Sequence, residues 1–308
     1  MNLLAASVAA DDVAVSYSAS GFQCFAPSIG IAWSTPDGLR FPFVRGPLTG
    51  LGRSLASGDV LMATDDGTVS VTRRNDPLVT LFETDDFRIT TILELPDGRF
   101  ILAGNNEAQR RGEIRLRERD GRVETILTTF FFLDTGRSFD LASDQCTLLF
   151  PESPIEGTVF RAFNVCSPQP VADVMSVPFG IGDFQIAQRG EIIVARRIAL
   201  FEFGIDRYDS SGQLLASYPN AIGPFAIDES GEAFWALTIG GMTRIDLATG
   251  AILGSQHVPG FCNPGLYQVE VRNGWRAAAA VPNSIPSLSA SLLVLLSAAL
   301  AAIAWRAL

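Results

Sequence analysis

Lysine is absent from this chain: all 23 basic residues are arginine, and histidine occurs once, as His257. Schiff-base chemistry and a phosphate-cradling Gly-Lys loop therefore have no residue to use. Positive charge is in the minority as well. The 33 acidic residues leave a net charge of -10, the wrong sign for neutralising nucleic-acid phosphates, so nucleic acid is not an expected partner. Cysteine is sparse: Cys24, Cys146, Cys166 and Cys262 stand far apart with no Cys-x-x-Cys pair, which gives a zinc site little support. An even count fits two disulfides in an oxidising compartment, and four buried free thiols is the competing reading. A Gly-x-Ser-x-Gly elbow, a His-Glu-x-x-His helix and a dinucleotide fingerprint are all missing.

What the chain has is turn formers and aromatic packing residues. Its 308 residues include 28 Gly, 17 Pro and 21 Phe, with only 18% charged, a composition that buries a core and does not stay disordered. One phrase repeats along it: a turn followed by an apolar strand. The copies read Ser57-Gly58-Asp59-Val60-Leu61-Met62-Ala63, Asp97-Gly98-Arg99-Phe100-Ile101-Leu102-Ala103, Asp144-Gln145-Cys146-Thr147-Leu148-Leu149-Phe150, Arg189-Gly190-Glu191-Ile192-Ile193-Val194-Ala195 and Ser230-Gly231-Glu232-Ala233-Phe234-Trp235-Ala236. The marks at 58, 98, 145, 190 and 231 are spaced by 40, 47, 45 and 41 residues. A period near forty with four strands per unit is the requirement of a propeller blade.

Each copy continues with a second strand pair, such as Gly112 to Leu116, Gly157 to Phe163, Gly204 to Tyr208 and Gly241 to Leu247. In three copies a third turn and an outer strand are clear (Val123 to Leu127, Gln213 to Tyr218, Ala251 to Ser255). A sixth mark at Asn273-Gly274 follows Tyr267 to Val271 and lacks its outer strands, while the N-terminus offers spare ones in Val13 to Tyr17, Gly30 to Ser34 and Leu39 to Val44. The expected fold is therefore all-β: a β-propeller of six four-stranded blades, the last completed by strands from both ends of the chain, which removes free sheet edges. Cys24 and Cys262 lie beside that seam and are placed to pair. Cys146 and Cys166 flank one hairpin and are expected to pair with each other.

The stretch Phe139-Asp140-Leu141-Ala142-Ser143-Asp144-Gln145-Cys146-Thr147-Leu148, with Arg161-Ala162-Phe163-Asn164-Val165-Cys166, resembles exported bacterial propellers related to the NHL-repeat and streptogramin-lyase-like group. The resemblance spans roughly residues 50 to 270 and carries fold and cysteine pairing much further than function, because propellers host unrelated activities.

From Ser287 to Trp305 the chain has no charge and no helix breaker. As a helix it would span roughly 28 Å, near the thickness of a bilayer's hydrocarbon core. Arg306 just beyond Trp305 would mark the cytoplasmic side, placing the body outside. Ile285, Pro286, Ser287 and Leu288 before this segment resemble the IPTL-type C-terminal sorting signal of Gram-negative bacteria, read by an exosortase-type membrane protease. The sequence departs from that pattern at Ser287, which replaces a Thr, and at Ser291-Leu292, where Trp-Gly is usual. The expected organisation is a signal remnant or disordered start over 1–12, the propeller over 13–280, a linker and sorting motif over 281–286, and a transmembrane anchor over 287–308.

Candidate site residues come from the inner strands. Asp140, Asp183 and Gln185 fall on them and, with Arg53, are the candidates for a binding site at the channel mouth. Sugar-lactonase propellers hold a divalent ion with a Glu, Asn and Asp cluster there, which makes Asp140 and Asp183 candidate metal ligands and calcium the cofactor to test. The competing reading is solvated channel groups. Asp65-Asp66-Gly67 and Asp85-Asp86 carry the same two readings, and His257 reads as a surface-loop residue. Thr128 to Leu133 reads as buried outer strand against an exposed docking patch. The expectation is an envelope-anchored binding or scaffold module for a protein, glycan or small molecule, with a lyase-like or lactonase-like metal enzyme as the alternative.

Overall fold

The computed structural model describes residues 13–18, 29–35, 38–40 and 48–271, except 73–77, 85–86, 130–136, 153–156, 168–170, 188, 200–201, 220, 222, 229, 239–240 and 258–268. These residues form twenty-four strands and no helix. The first three are β1 (Val13–Ser18), β2 (Ile29–Thr35) and β3 (Gly38–Arg40). Next come β4 (Leu48–Ser54), β5 (Val60–Thr64), β6 (Thr68–Thr72) and β7 (Val79–Glu83), then β8 (Arg88–Glu94), β9 (Phe100–Asn106), β10 (Arg111–Arg117) and β11 (Val123–Thr129). A further set is β12 (Asp140–Leu141), β13 (Thr147–Glu152), β14 (Thr158–Asn164) and β15 (Ala172–Val177), followed by β16 (Ile181–Ile186), β17 (Ile192–Ala199), β18 (Glu202–Tyr208) and β19 (Leu214–Tyr218). The last are β20 (Phe225–Ile227), β21 (Ala233–Thr238), β22 (Gly241–Asp246), β23 (Ile252–His257) and β24 (Val269–Val271).

Each set of four is an antiparallel meander, and the sheet formed by both ends of the chain runs in the order β24-β1-β2-β3. Val13 and Val15 of β1 sit opposite Val271 and Val269 of β24, so the C-terminal strand is innermost in a sheet whose other strands are N-terminal. The turns follow the repeated phrase. Gly58, Gly98, Gly190 and Gly231 adopt φ of 71–79°, and Gln145 takes the same left-handed turn at φ 56° without being glycine.

The inner strands form a ring. β24 touches β20 and β4, β12 touches β16, and β16 touches β20. Between β8 and β12 the link is made by side chains: the Ser138 amide donates to Thr91 Oγ1 at 2.8 Å, and the Thr90 and Ser138 hydroxyls lie 2.8 Å apart. β4 and β8 come closer still and pair in parallel, which fuses two meanders into one eight-stranded sheet. The cause is in β4, where Gly50 and Gly52 remove the side chains that would hold the strands apart. A Cβ on Gly52 would lie 1.7 Å from the Ile92 carbonyl oxygen.

The core lies between successive meanders. One cluster sets Ile193, Ala195, Ile205 and Tyr218 against Phe225, Ile227, Phe234 and Ile245, and another sets Ile101 and Ile114 against Phe139, Leu148 and Phe150. Phe139, Phe184 and Phe225 each stand six residues before a turn mark and are almost completely buried. Each such burial contributes roughly 2–3 kcal/mol of transfer free energy. Edge-to-face contacts continue the pattern across interfaces, as between Phe160 and Phe184 at 5.2 Å. Strand alternation then turns the next residue, Asp140 or Gln185, to the opposite side, toward the centre of the ring.

Cys146 and Cys166 form a disulfide across the β13–β14 hairpin, with Cα atoms 5.2 Å apart. Cys24, Cys262, Asp85, Asp86, Phe130 to Leu133, the sorting motif and the apolar tail all lie outside the described residues. Among the described residues no helix is long and apolar enough to cross a membrane.

Candidate functional site

Arg53, Asp140 and Gln185 occupy one register position, each five residues before a turn mark at 58, 145 and 190. Asp183 lies two residues earlier on β16. The ring brings these residues together, but it buries them: Arg53 is 7% exposed, Asp140 3%, Asp183 2% and Gln185 0%. They are therefore not solvated channel groups.

Each finds its partners inside the protein. Arg53 Nη2 meets Asp140 Oδ1 at 2.7 Å, reaching from β4 to β12. Asp140 also accepts the backbone amides of Leu141 at 2.9 Å and, through Oδ2, of Ile186 on β16 at 2.8 Å. Gln185 repeats that move one meander on, its Oε1 accepting the Ile227 amide at 2.8 Å. The side chain of one inner strand thus satisfies a backbone donor of the next. Two donors stay unmatched within the protein, Arg53 Nη1 and Gln185 Nε2.

Two further residues complete the cluster, and neither was among the candidates drawn from the sequence. Arg137 precedes β12 and is 8% exposed; Glu270 is the central residue of β24 and is 4% exposed. Arg137 Nη1 contacts Asp183 Oδ2 at 3.0 Å, while Nη2 and Nε reach Glu270 Oε1 at 2.9 Å and 3.0 Å. The same guanidinium donates to the carbonyls of Phe225 at 2.9 Å and Val269 at 2.8 Å, so one side chain spans β16, β20 and β24. Glu270 carried a legible signal, a carboxylate flanked by Val269 and Val271 on an inner strand. Arg137 carried none, since it sits on a connection whose path periodicity does not reveal.

Burial pushes the Asp183 and Glu270 carboxyls up from their ordinary range, against the pull of Arg137. For Arg137 burial acts downward, but the facing Asp183 and Glu270 carboxylates outweigh it and hold the guanidinium firmly charged.

The donor set does not suit a divalent cation. Both oxygens of Asp140 and of Asp183 already accept N–H donors, and a guanidinium stands against each carboxylate where a metal would need open lone pairs. Among the described residues no group of three or more His, Cys, Asp or Glu is arranged to hold a metal ion. At the other acidic pair, Asp66 accepts the Thr64 hydroxyl at 2.5 Å and the Thr68 amide at 3.0 Å, and the Thr64 hydroxyl and Thr68 amide lower its carboxyl. It caps its own turn.

No family model and no curated protein matches the sequence. Solved structures do match in shape. A chain of the nidogen/laminin complex aligns with TM-score 0.61 at 10% identity, covering 85% of this chain and 100% of that one. TolB from Acinetobacter baumannii aligns at 0.59 and 10% identity, over 85% of this chain and 65% of its own. The fold is a β-propeller. A gluconolactonase from Xanthomonas campestris also aligns, at TM-score 0.54 and 13% identity over 79% of this propeller and 78% of the enzyme. At such identities the likeness concerns the fold alone.

Proposed function

We propose that this chain is a six-bladed propeller anchored in a bacterial envelope by residues 287–305, with its body outside the cytoplasm, acting as a binding or scaffold module and not as an enzyme. The observation that carries the reading is the internal pairing of the axis. Arg53 is engaged by Asp140, and Arg137 by Asp183 and Glu270, which leaves no free general base, nucleophile or metal ligand among these residues. The six inner strands β4, β8, β12, β16, β20 and β24 support a count of six blades. The Cys146–Cys166 disulfide supports export, because such bonds persist in oxidising compartments. The partner is a protein, a glycan or a small molecule, met on the outer surface of the blades or their loops. Processing by a sorting protease at Ile285 to Leu288 belongs to the same proposal.

A second reading, a lactonase-like or lyase-like enzyme using calcium, draws on the structural likeness to the gluconolactonase. The two are separated by offering the purified propeller gluconolactone with and without calcium chloride. The binding reading expects hydrolysis at the buffer rate and a thermal midpoint indifferent to calcium. Calcium-dependent turnover that disappears in a folded D183N variant would establish the enzyme instead.

A further inference from the structure

Three carboxylates, Asp140, Asp183 and Glu270, face two guanidiniums, Arg53 and Arg137, inside one buried cluster. With every group ionised the cluster holds one negative charge in excess, on side chains that are buried and so poorly screened by solvent. The three carboxylates are not equally supported. Asp140 accepts two backbone amides and Asp183 accepts those of Arg137 and Phe184, both at 2.9 Å. The bonds to Glu270 come from Arg137 side-chain nitrogens and converge on one oxygen, Oε1. Glu270 is also the one member supplied by the closing strand, whose ladder to β1 is three residues long.

We propose that Glu270 is a proton-linked latch: it takes up a proton as β24 docks, so that mild acid tightens the closure of the propeller. The proton removes the excess charge, while Arg137 keeps Asp183 and the Val269 and Phe225 carbonyls as partners. Among the described residues the charged groups around Glu270 are those of the cluster, and of these Asp183, itself raised by burial, competes for the proton but accepts the amides of Arg137 and Phe184, which favour its ionised form. Arg53 comes from β4, Arg137 and Asp140 from β12 and its approach, and Asp183 from β16; β20, β21 and β1 contain no charged residue. The burial that raises the Glu270 carboxyl acts in the same direction.

The sign distinguishes this device from ordinary acid behaviour. A carboxyl raised by folding binds its proton more tightly in the native state, so its contribution to stability is present at low pH and is lost as pH rises through the folded value. Asp66, Glu113, Asp144, Asp209 and Asp246 are lowered by their hydrogen bonds and weaken the fold only as pH falls below the ordinary carboxyl range. The two effects occupy different windows.

The test is urea unfolding of the wild-type protein and of E270Q between about pH 5 and about pH 8, with hydrogen exchange of β1 and β24 followed in parallel. The wild-type folding constant is expected to rise as pH falls, by up to about tenfold per pH unit for one proton, with slower exchange in both strands. E270Q, which mimics the protonated form, is expected to lose that dependence and to match the wild type at the acid end. A wild-type constant that is flat or falls with acid over this window would overturn the latch, and so would a rise that persists in folded E270Q. Should E270Q fail to fold, an acid-strengthened wild type whose β1 and β24 amides show no added protection would overturn it equally.

Discussion

Arg53 and Asp140 show what a single charged pair does at the axis. Replacing Arg53 by Met leaves the Asp140 carboxylate buried without its counter-charge, and should cost about 3–5 kcal/mol in urea unfolding. Combining Arg53→Met with Asp140→Leu removes both charges and is expected to recover only part of that loss, because the Ile186 amide then lacks its acceptor. Full additivity of the two single losses would contradict the pairing. These residues were legible in the sequence as polar side chains on expected inner strands; Arg53, Asp140 and Gln185 stand five residues before the marks at 58, 145 and 190, while Leu93 and Ala226 hold that position before 98 and 231. Their engagement with one another was not, since spacing gives a layer and says nothing of which members of the layer touch.

At the scale of the strand, the junction of β4 and β8 depends on what is missing from Gly52. Gly52→Ala would press a methyl group into the Ile92 backbone, where no flexible side chain can yield, so a loss of about 3 kcal/mol or more is expected. Thermal unfolding of the variant checks this, and a midpoint equal to that of the wild type would show that the parallel pairing does not carry the contact. The β13–β14 hairpin supplies a second test. Its disulfide closes a loop with a sequence separation of 20 and should contribute about 3 kcal/mol, measured as the difference between the native protein and its C146S/C166S variant. The meanders and their hairpin turns followed from the repeated phrase of a turn and an apolar strand and from the turn glycines. The parallel β4–β8 contact did not, because glycine at alternate strand positions reads as weakness until the neighbour is known.

For the molecule as a whole, the repeat period and the spare strands at the two ends carried the essential inference. A chain that begins in the outer strands of a sheet and returns to fill its inner strand closes a ring, and β24 beside β1 does that. The axis differs from a solvent-lined channel because its side chains are long enough to reach across it and opposite enough in charge to pair. Function was less legible, as propeller frames support binding and catalysis alike. What separates the two here is the state of a few axial side chains and the cellular address of the chain. The address is the more decisive quantity, because export, disulfide and anchor stand or fall together. Peptide mapping without reduction, on protein taken from a native bacterial envelope, tests it most directly. The expected result is Cys146 linked to Cys166 on a chain held in the membrane fraction or cut near Ile285 to Leu288; free thiols on a full-length chain in the soluble cytoplasmic fraction would contradict the envelope address.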